Sequence, residues 1–416
     1  MGLPRIVQLL LTGASCVSLG FVGYSQQRLL KVQAIEPKLV ESPQSTTPTS
    51  RASADVQALV SLGSRVAGTP VMEQASHYLL EEYRQAGYVA EVQTFTYSKF
   101  EDNGSTLTVD GRTIAGQALK ETLAGNLTAP LVVVPKVGRR ADFAQVDVKG
   151  AIAIVQRGEI PFLEKTNNAT AAGAVGLIIV NNDSDNFSGS LGDRSRIPVL
   201  SLSGEQGKPL LERAMPERLD VTLNVNASER VVTGRNIVAH LEGVTQPKAI
   251  VGAHYDSVPG SPGANDNASG TAVILDLARN LSGTALARQV WFVSFDGEED
   301  GLHGSRAFVK AAKPQFLSGL EGMLNFDMVG INDGLRVGGT DSLTALVRET
   351  EHPISTIGAT GGSDHMPFEQ AQVPVLFFTR GMEPNYHQPT DLQVQPRLLD
   401  ETVQVGLDTV KQLLRE

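Results

Sequence analysis

Short apolar runs of strand length recur along the chain, and polar or acidic residues follow them. Ala249 to Gly252, Trp291 to Phe295, Leu324-Asn325-Phe326 and Val375 to Phe378 are such runs, and they predict buried strands. Val89 to Tyr97 predicts another. Ala75, Tyr78, Leu79 and Tyr83 recur at helical spacing. Thr69 precedes them as an N-cap, Pro70 stands at the first helical position, and Gly87 is a stop. Asp55 to Leu62 predicts a shorter helix, and about Ala268 to Leu281 a longer one. Asp110-Gly111 lies between Leu107-Thr108-Val109 and Thr113-Ile114, which predicts a tight hairpin.

The texture changes over residues 123–225. Leu131 to Val134, Ala151 to Val155 and Leu177 to Val180 predict short strands with glycine-rich connections, and Thr166 to Ala174 predicts a helix. The stretch contains no histidine and no cluster of acids with histidine, so it reads as a separate inserted module. Residues 54–122 and 226–416 then form one outer domain. At the amino end, Arg5 precedes an apolar run from Ile6 to Val22, with Gly23-Tyr24-Ser25 as a small-x-small cleavage site. Residues 1–25 are expected to be an export signal, cleaved or kept as an anchor. Gly13-Ala14-Ser15-Cys16 is a poor lipidation motif. Residues 26–53, rich in Pro, Ser and Thr, read as a flexible linker.

Composition narrows the chemistry. The chain has 416 residues and a formal net charge of −10, which argues against a nucleic-acid partner. Cys16 is the only cysteine. With the signal removed, a disulfide, a thiolate metal site and a cysteine nucleophile are excluded. Any metal must be held by oxygen and nitrogen.

The oxygen and nitrogen donors sit in suggestive places. His254 and Asp256 close the run that begins at Ala249, and Asp266 opens the helical segment. An imidazole offers a neutral nitrogen. Asp256, two residues on, points the same way along an extended chain and can hold the ring tautomer. A carboxylate such as Asp266 has two oxygens, enough to bridge two ions. Trp291 to Phe295 runs into Asp296-Gly297-Glu298-Glu299, Leu324-Asn325-Phe326 into Asp327, and Val375 to Phe378 leads to Tyr386-His387. Each metal-type residue thus follows the carboxyl end of an apolar strand, where open α/β sheets place their ligands.

At this point the chain resembles the zinc aminopeptidases of peptidase family M28. His254-Tyr255-Asp256, Asn265-Asp266-Asn267-Ala268-Ser269-Gly270, Glu298-Glu299, Asn325-Phe326-Asp327 and Tyr386-His387 match that pattern in order and context. Gly150 to Val155, Arg157-Gly158, Phe162, Lys165 and Ala172-Gly173-Ala174 resemble a protease-associated (PA) domain. The resemblance implies an α/β fold: a mixed, mostly parallel sheet flanked by helices, with a small β-rich module inserted. It also implies two zinc ions: one held by His254 and Asp327, the other by Glu299 and His387, with Asp266 bridging. Glu298 would be the general base and Tyr386 a donor to the oxyanion. Asp364, in Gly361-Gly362-Ser363-Asp364-His365, would lie at the substrate cleft, against a plain reading as a surface loop. By analogy the insert would border that cleft and filter substrates by size.

The expected activity is removal of amino-terminal residues from peptides or proteins, outside the cytoplasm. Two relatives of that chemistry stay open. A carboxypeptidase needs a cationic clamp, for which Arg380 near the His387 loop is the candidate. A glutaminyl cyclase-like enzyme normally needs one zinc. A non-catalytic receptor on the same scaffold tends to lose ligands or base, and none is missing here.

Overall fold

The computed structural model of the chain describes residues 51–212, 219–348, 354–358 and 362–414. The export segment at 1–25 lies outside them. So does the linker at 26–53, except for Arg51 to Ser53, which open the helix Arg51–Ser61. Among the described residues no helix is long and apolar enough to cross a membrane.

One eight-stranded sheet organises the outer domain. Its spatial order is Val89–Asp102, Ala227–His240, Val290–Phe295, Ala249–His254, Gly322–Phe326, Val375–Thr379, Arg336–Gly339 and Ser355–Thr356. The four strands from Val290–Phe295 to Val375–Thr379 in that order are parallel to one another. The outer neighbours Ala227–His240 and Arg336–Gly339 run antiparallel to them. Ala249–His254, Gly322–Phe326 and Val375–Thr379 are buried at every position. Both faces of this part of the sheet are covered, which is why these strands read as unbroken apolar runs rather than alternating ones. Alternate side chains go to different cores. Ala249, Val251 and Ala253 pack with the helices Arg51–Ser61, Pro70–Gln85, Ser269–Leu281 and Pro396–Leu413 on one face. Ile250 packs with Phe308 and Phe368, from His303–Ala311 and His365–Gln370, on the other. In the second helix Thr69 Oγ1 accepts from the Met72 N–H at 3.3 Å, and Pro70 follows it.

The insert has a sheet and cores of its own. Its eight strands are ordered Arg112–Ala115, Thr106–Val109, Asp220–Val225, Gly125–Val133, Ile152–Gln156, Gly176–Val180, Val199–Leu202 and Gln117–Ala118. Asp110 and Gly111 both have positive φ, +50° and +74°, as a hairpin of the mirror-image turn type requires. That hairpin corrects the domain boundary. Thr106–Val109 pairs with Asp220–Val225, so the insert starts near residue 103, not 123. The helix expected at Thr166 begins earlier, as Phe162–Ala171.

Val89–Asp102 and Ala227–His240 pair in register from Val89↔His240 to Asp102↔Ala227. This two-stranded stalk carries the chain out to the insert and back. Because the stalk closes at one pair, replacing residues 103–226 by Asn-Gly should leave the outer domain folded. Circular dichroism should show one cooperative melt; an unfolded product would mean that the insert's core supports the outer sheet.

Candidate metal centre

The parallel strands end at one edge of the sheet, and the side chains just beyond them meet there. His254 is the last residue of its strand, Asp327 follows Phe326, and Glu298 and Glu299 follow Phe295 after a short turn. Asp266 comes from the segment that opens the helix Ser269–Leu281, and His387 from the loop beyond Thr379. His254 Nε2 is 3.4 Å from Asp266 Oδ1 and 3.4 Å from Asp327 Oδ1. His387 Nε2 is 3.2 Å from Asp266 Oδ2 and 3.1 Å from Glu299 Oε2. The two oxygens of Asp266 therefore face two different imidazoles, each joined by one further carboxylate. Glu298 belongs to the first group as well: donor atoms of His254, Glu298 and Asp327 lie within 4.8 Å of one another.

Several side chains build this arrangement without joining it. Asp256 Oδ1 lies 3.4 Å from His254 Nδ1, on the ring side away from Asp266. The same carboxylate accepts from the backbone N–H of Glu298 at 3.3 Å and of Glu299 at 3.1 Å. One acid thus sits beside the imidazole and holds the turn carrying two more acids. Asp391 neither partners His387 nor caps the last helix, the two roles its position allows. Its oxygens accept from the N–H groups of Asn265, at 2.8 Å, and Asp266, at 3.1 Å. Asn267 caps the helix in place of Asp266: its Oδ1 accepts from Gly270 N–H at 2.9 Å, and its Nδ2 donates to Phe326 O.

Arg65 is the largest part of the frame that sequence reasoning missed. It is fully buried. Its guanidinium donates to the carbonyls of Tyr255, Pro262 and Gly263, which tie down the loop between His254 and Asp266. Backbone bonds with Ser257 add to this, Arg65 N–H to Ser257 Oγ and Ser257 N–H to Arg65 O. Its only signal in the sequence is a charged residue in the small-residue run Gly63 to Gly68.

Charge decides what the site can hold. Burial pushes Glu298 well above the usual carboxylate range; His254 opposes the rise, while Asp364, Asp327 and Asp256 add to it. Burial likewise lifts Glu299 to about 7 and Asp364 to about 7. The carboxylates of Asp266 and Glu299, 3.2 Å and 3.1 Å from Nε2, lift His387 to about 10. Burial works against a charged His254, yet Glu298 and Asp327 hold its proton on. All these shifts report a pocket with too little positive charge. Cations would remedy that, and the donors fit them. Asp327 Oδ1, Glu299 Oε1 and His387 Nε2 are buried without a hydrogen-bond partner. Two ligands of a tetrahedral zinc, each about 2.0–2.2 Å from the ion, lie roughly 3.3 Å apart, close to the spacings seen here.

The site opens into a cleft of about 350 Å³. His254, Asp266, Glu298, Glu299, Asp327 and Tyr386 line its floor and side. Tyr386 stacks on His387 with ring centres 3.7 Å apart. Three expectations about the cleft need correction. Arg380 does not reach it: the guanidinium is fully buried and donates to the carbonyls of Val329, Asn332 and Leu398, and it lies 3.4 Å from Glu401. Among the described residues the only arginine on the wall is Arg336. Asp364 is fully buried, and Gly362 forms the wall there. Among the described residues none from the insert lines the cleft. The stalk instead reaches the turn after Glu299. Tyr97 Oη donates to Asp300 Oδ2 at 2.5 Å, and Lys99 Nζ lies 2.8 Å from Asp300 Oδ1.

A helix-flanked sheet with paired imidazole-carboxylate groups at its strand ends defines a metallopeptidase site. Residues 236–409 match the model of peptidase family M28, and residues 127–210 match the PA domain. The chain is 34% identical over 364 residues to Aminopeptidase YwaD of Bacillus subtilis, covering 79% of this chain and 76% of that one. It is 33% identical to the Probable lipoprotein aminopeptidase LpqL of Mycobacterium tuberculosis, over 64% of this chain and 55% of that one. Among solved structures, an aminopeptidase from Aneurinibacillus sp. strain AM-1 superposes with a TM-score of 0.76 at 30% identity, covering 87% and 93% of the two chains. BSAP, a zinc aminopeptidase from Bacillus subtilis, gives 0.72 at 29% identity, covering 88% and 95%. The chain belongs to peptidase family M28 and carries an inserted PA domain.

Protons occupy the metal-free site at neutral pH, since His387 is lifted to about 10 and Glu299 to about 7. Zinc must displace them, so its apparent affinity should rise with pH, about tenfold per pH unit for each proton released. Competition titrations at pH 6, 7 and 8 measure this; an affinity independent of pH would contradict it.

Proposed function

We propose that the chain is an exported aminopeptidase that removes amino-terminal residues from peptides, with two zinc ions and Glu298 as general base. The observation that carries the reading is the division of the Asp266 carboxylate between His254 and His387, with Asp327 on one side and Glu299 on the other. His254, Asp266 and Asp327 would hold one ion, and Asp266, Glu299 and His387 the other. Bound there, the pair would supply Lewis acidity, polarising a carbonyl and making a water more acidic.

The protein's own groups do the rest. Glu298 lines the cleft and is left over once the ligands are assigned. Its carboxylate takes the proton of the attacking water and passes it to the leaving amine. Burial raises the proton affinity of Glu298, so its ionised carboxylate is a stronger acceptor for that proton than a solvated one. Burial, reinforced by Asp266 and Glu299, also raises the Tyr386 hydroxyl above its ordinary range, so it keeps its proton and can donate to a developing oxyanion. Asp256 keeps its hold on His254 and on the Glu298–Glu299 turn throughout.

The names of the relatives favour an aminopeptidase over a carboxypeptidase. Arg380 no longer supports the rival, because its donors are spent inside the protein. Export is supported by the description of the mycobacterial relative as a lipoprotein and by the apolar run from Ile6 to Val22.

Glu298→Gln should retain both zinc ions and lose activity by about 10²–10⁴-fold, because one proton-transferring group is removed while the ligands stay. Metal analysis with a panel of free-amine and amino-blocked peptides checks both halves. Full activity in the variant would refute the base assignment, and equal cleavage of amino-blocked peptides would refute aminopeptidase action.

A further inference from the structure

We infer that Arg336 binds a carboxylate group of the substrate, either the carboxyl terminus of a short peptide or an acidic side chain. The inference rests on the cleft being a peptide-cleaving site. Topology is the first support. Arg336 opens the strand Arg336–Gly339, which pairs antiparallel with Val375–Thr379, Arg336 opposite Thr379. An antiparallel strand starts where its parallel neighbour ends. Its first residue is therefore delivered to the edge of the sheet where the metal-type residues gather.

The second support is that its charge is free. Arg336 is exposed, and its guanidinium makes no ion pair or hydrogen bond among the described residues. Nearby acids are taken: Asp333 pairs with Arg397, and Glu401 with Arg380 and Arg397. Among the described residues lining the cleft, Arg336 carries the only fixed positive charge.

The third support is a prepared bed. Gly381 has φ +81°, and a Cβ there would lie 3.0 Å from one terminal nitrogen of Arg336 and 3.4 Å from its central carbon. The guanidinium thus lies against bare backbone, in a place a side chain would crowd. Met382, Ile357 and Phe377 line the same cleft. A planar fork of donors on an apolar wall suits bidentate recognition of a carboxylate. Arg336 shares one cleft with the metal-type residues, so a substrate held at the metal centre can also reach its guanidinium.

The test is binding of uncleaved ligand to zinc-loaded Glu298→Gln protein, measured by calorimetry. One pair of probes is Leu-Ala and Leu-Ala amide, which differ at the carboxyl terminus. The other is Glu-Ala amide and Gln-Ala amide, which differ in the side chain. The carboxylate member of at least one pair should bind about tenfold tighter. Adding Arg336→Gln should abolish that preference, and adding Arg336→Lys should restore part of it. The pair that responds identifies the source of the carboxylate. No preference in either pair, or a preference that survives Arg336→Gln, overturns the inference. Failure of the aminopeptidase reading would show separately, as wild-type protein that leaves free-amine peptides intact while the binding comparison still reads Arg336.

Discussion

Like charges crowded into a buried space are the constraint around which this fold is arranged. Asp256, Asp266, Glu298, Glu299, Asp327 and Asp364 converge at one end of a sheet whose centre is dry. Carboxylates in such a place repel one another and lose hydration, and either loss alone raises their affinity for protons. The protein meets this with positive charge at different depths. The buried Arg65 feels Asp256, Asp266, Asp391 and Glu299. His254 and His387 face the Asp266 carboxylate directly. What remains uncompensated is the affinity the site offers to divalent cations.

The sheet makes the convergence possible. Parallel strands all end at the same edge, so residues far apart in sequence arrive within a few ångströms of one another without any strand bending. The strand interiors must be apolar on both faces for the helices to cover them, and this keeps the polar chemistry at the ends. The backbone then bends in ways side chains resist. His387 and Met328, the residue after Asp327, adopt left-handed φ of +60° and +56°. Such conformations are costly for residues with a Cβ and persist where surrounding contacts over-determine them.

The candidate ligands were legible in the sequence because each depends on a local rule: an apolar run, then an acid or histidine. Thr69-Pro70 and Asp110-Gly111 were legible for the same reason, since capping and turn geometry are settled within a few residues. What could not be read depends on distant backbone. Arg65 is explained only by carbonyls some 190 residues away. Asp391 serves the N–H groups of Asn265 and Asp266, which no spacing reveals. The insert's start was misplaced because Thr106–Val109 finds its partner beyond residue 219. Arg380 was assigned to the cleft because it lies close to His387 in sequence, but its strand ends facing inward, where carbonyls of Val329, Asn332 and Leu398 take its donors. Arg336 lines the cleft though it is farther from His387 in sequence.

The stalk links the insert to the chemistry more directly than a lid would. Tyr97 and Lys99 lie on the strand that continues into the insert, and together they grip Asp300, the residue after Glu299. His303, at the start of the next helix, stacks on Tyr97 with ring centres 3.9 Å apart. The turn bearing Glu298 and Glu299 is thus held from two sides, by Asp256 from within the site and by the stalk from outside. The Lys99 and Asp300 side chains are only 12% and 17% exposed, so their attraction is less screened than that of a surface pair. The strand that leads into the insert therefore helps to fix the turn of the proposed base, although among the described residues none from the insert lines the cleft.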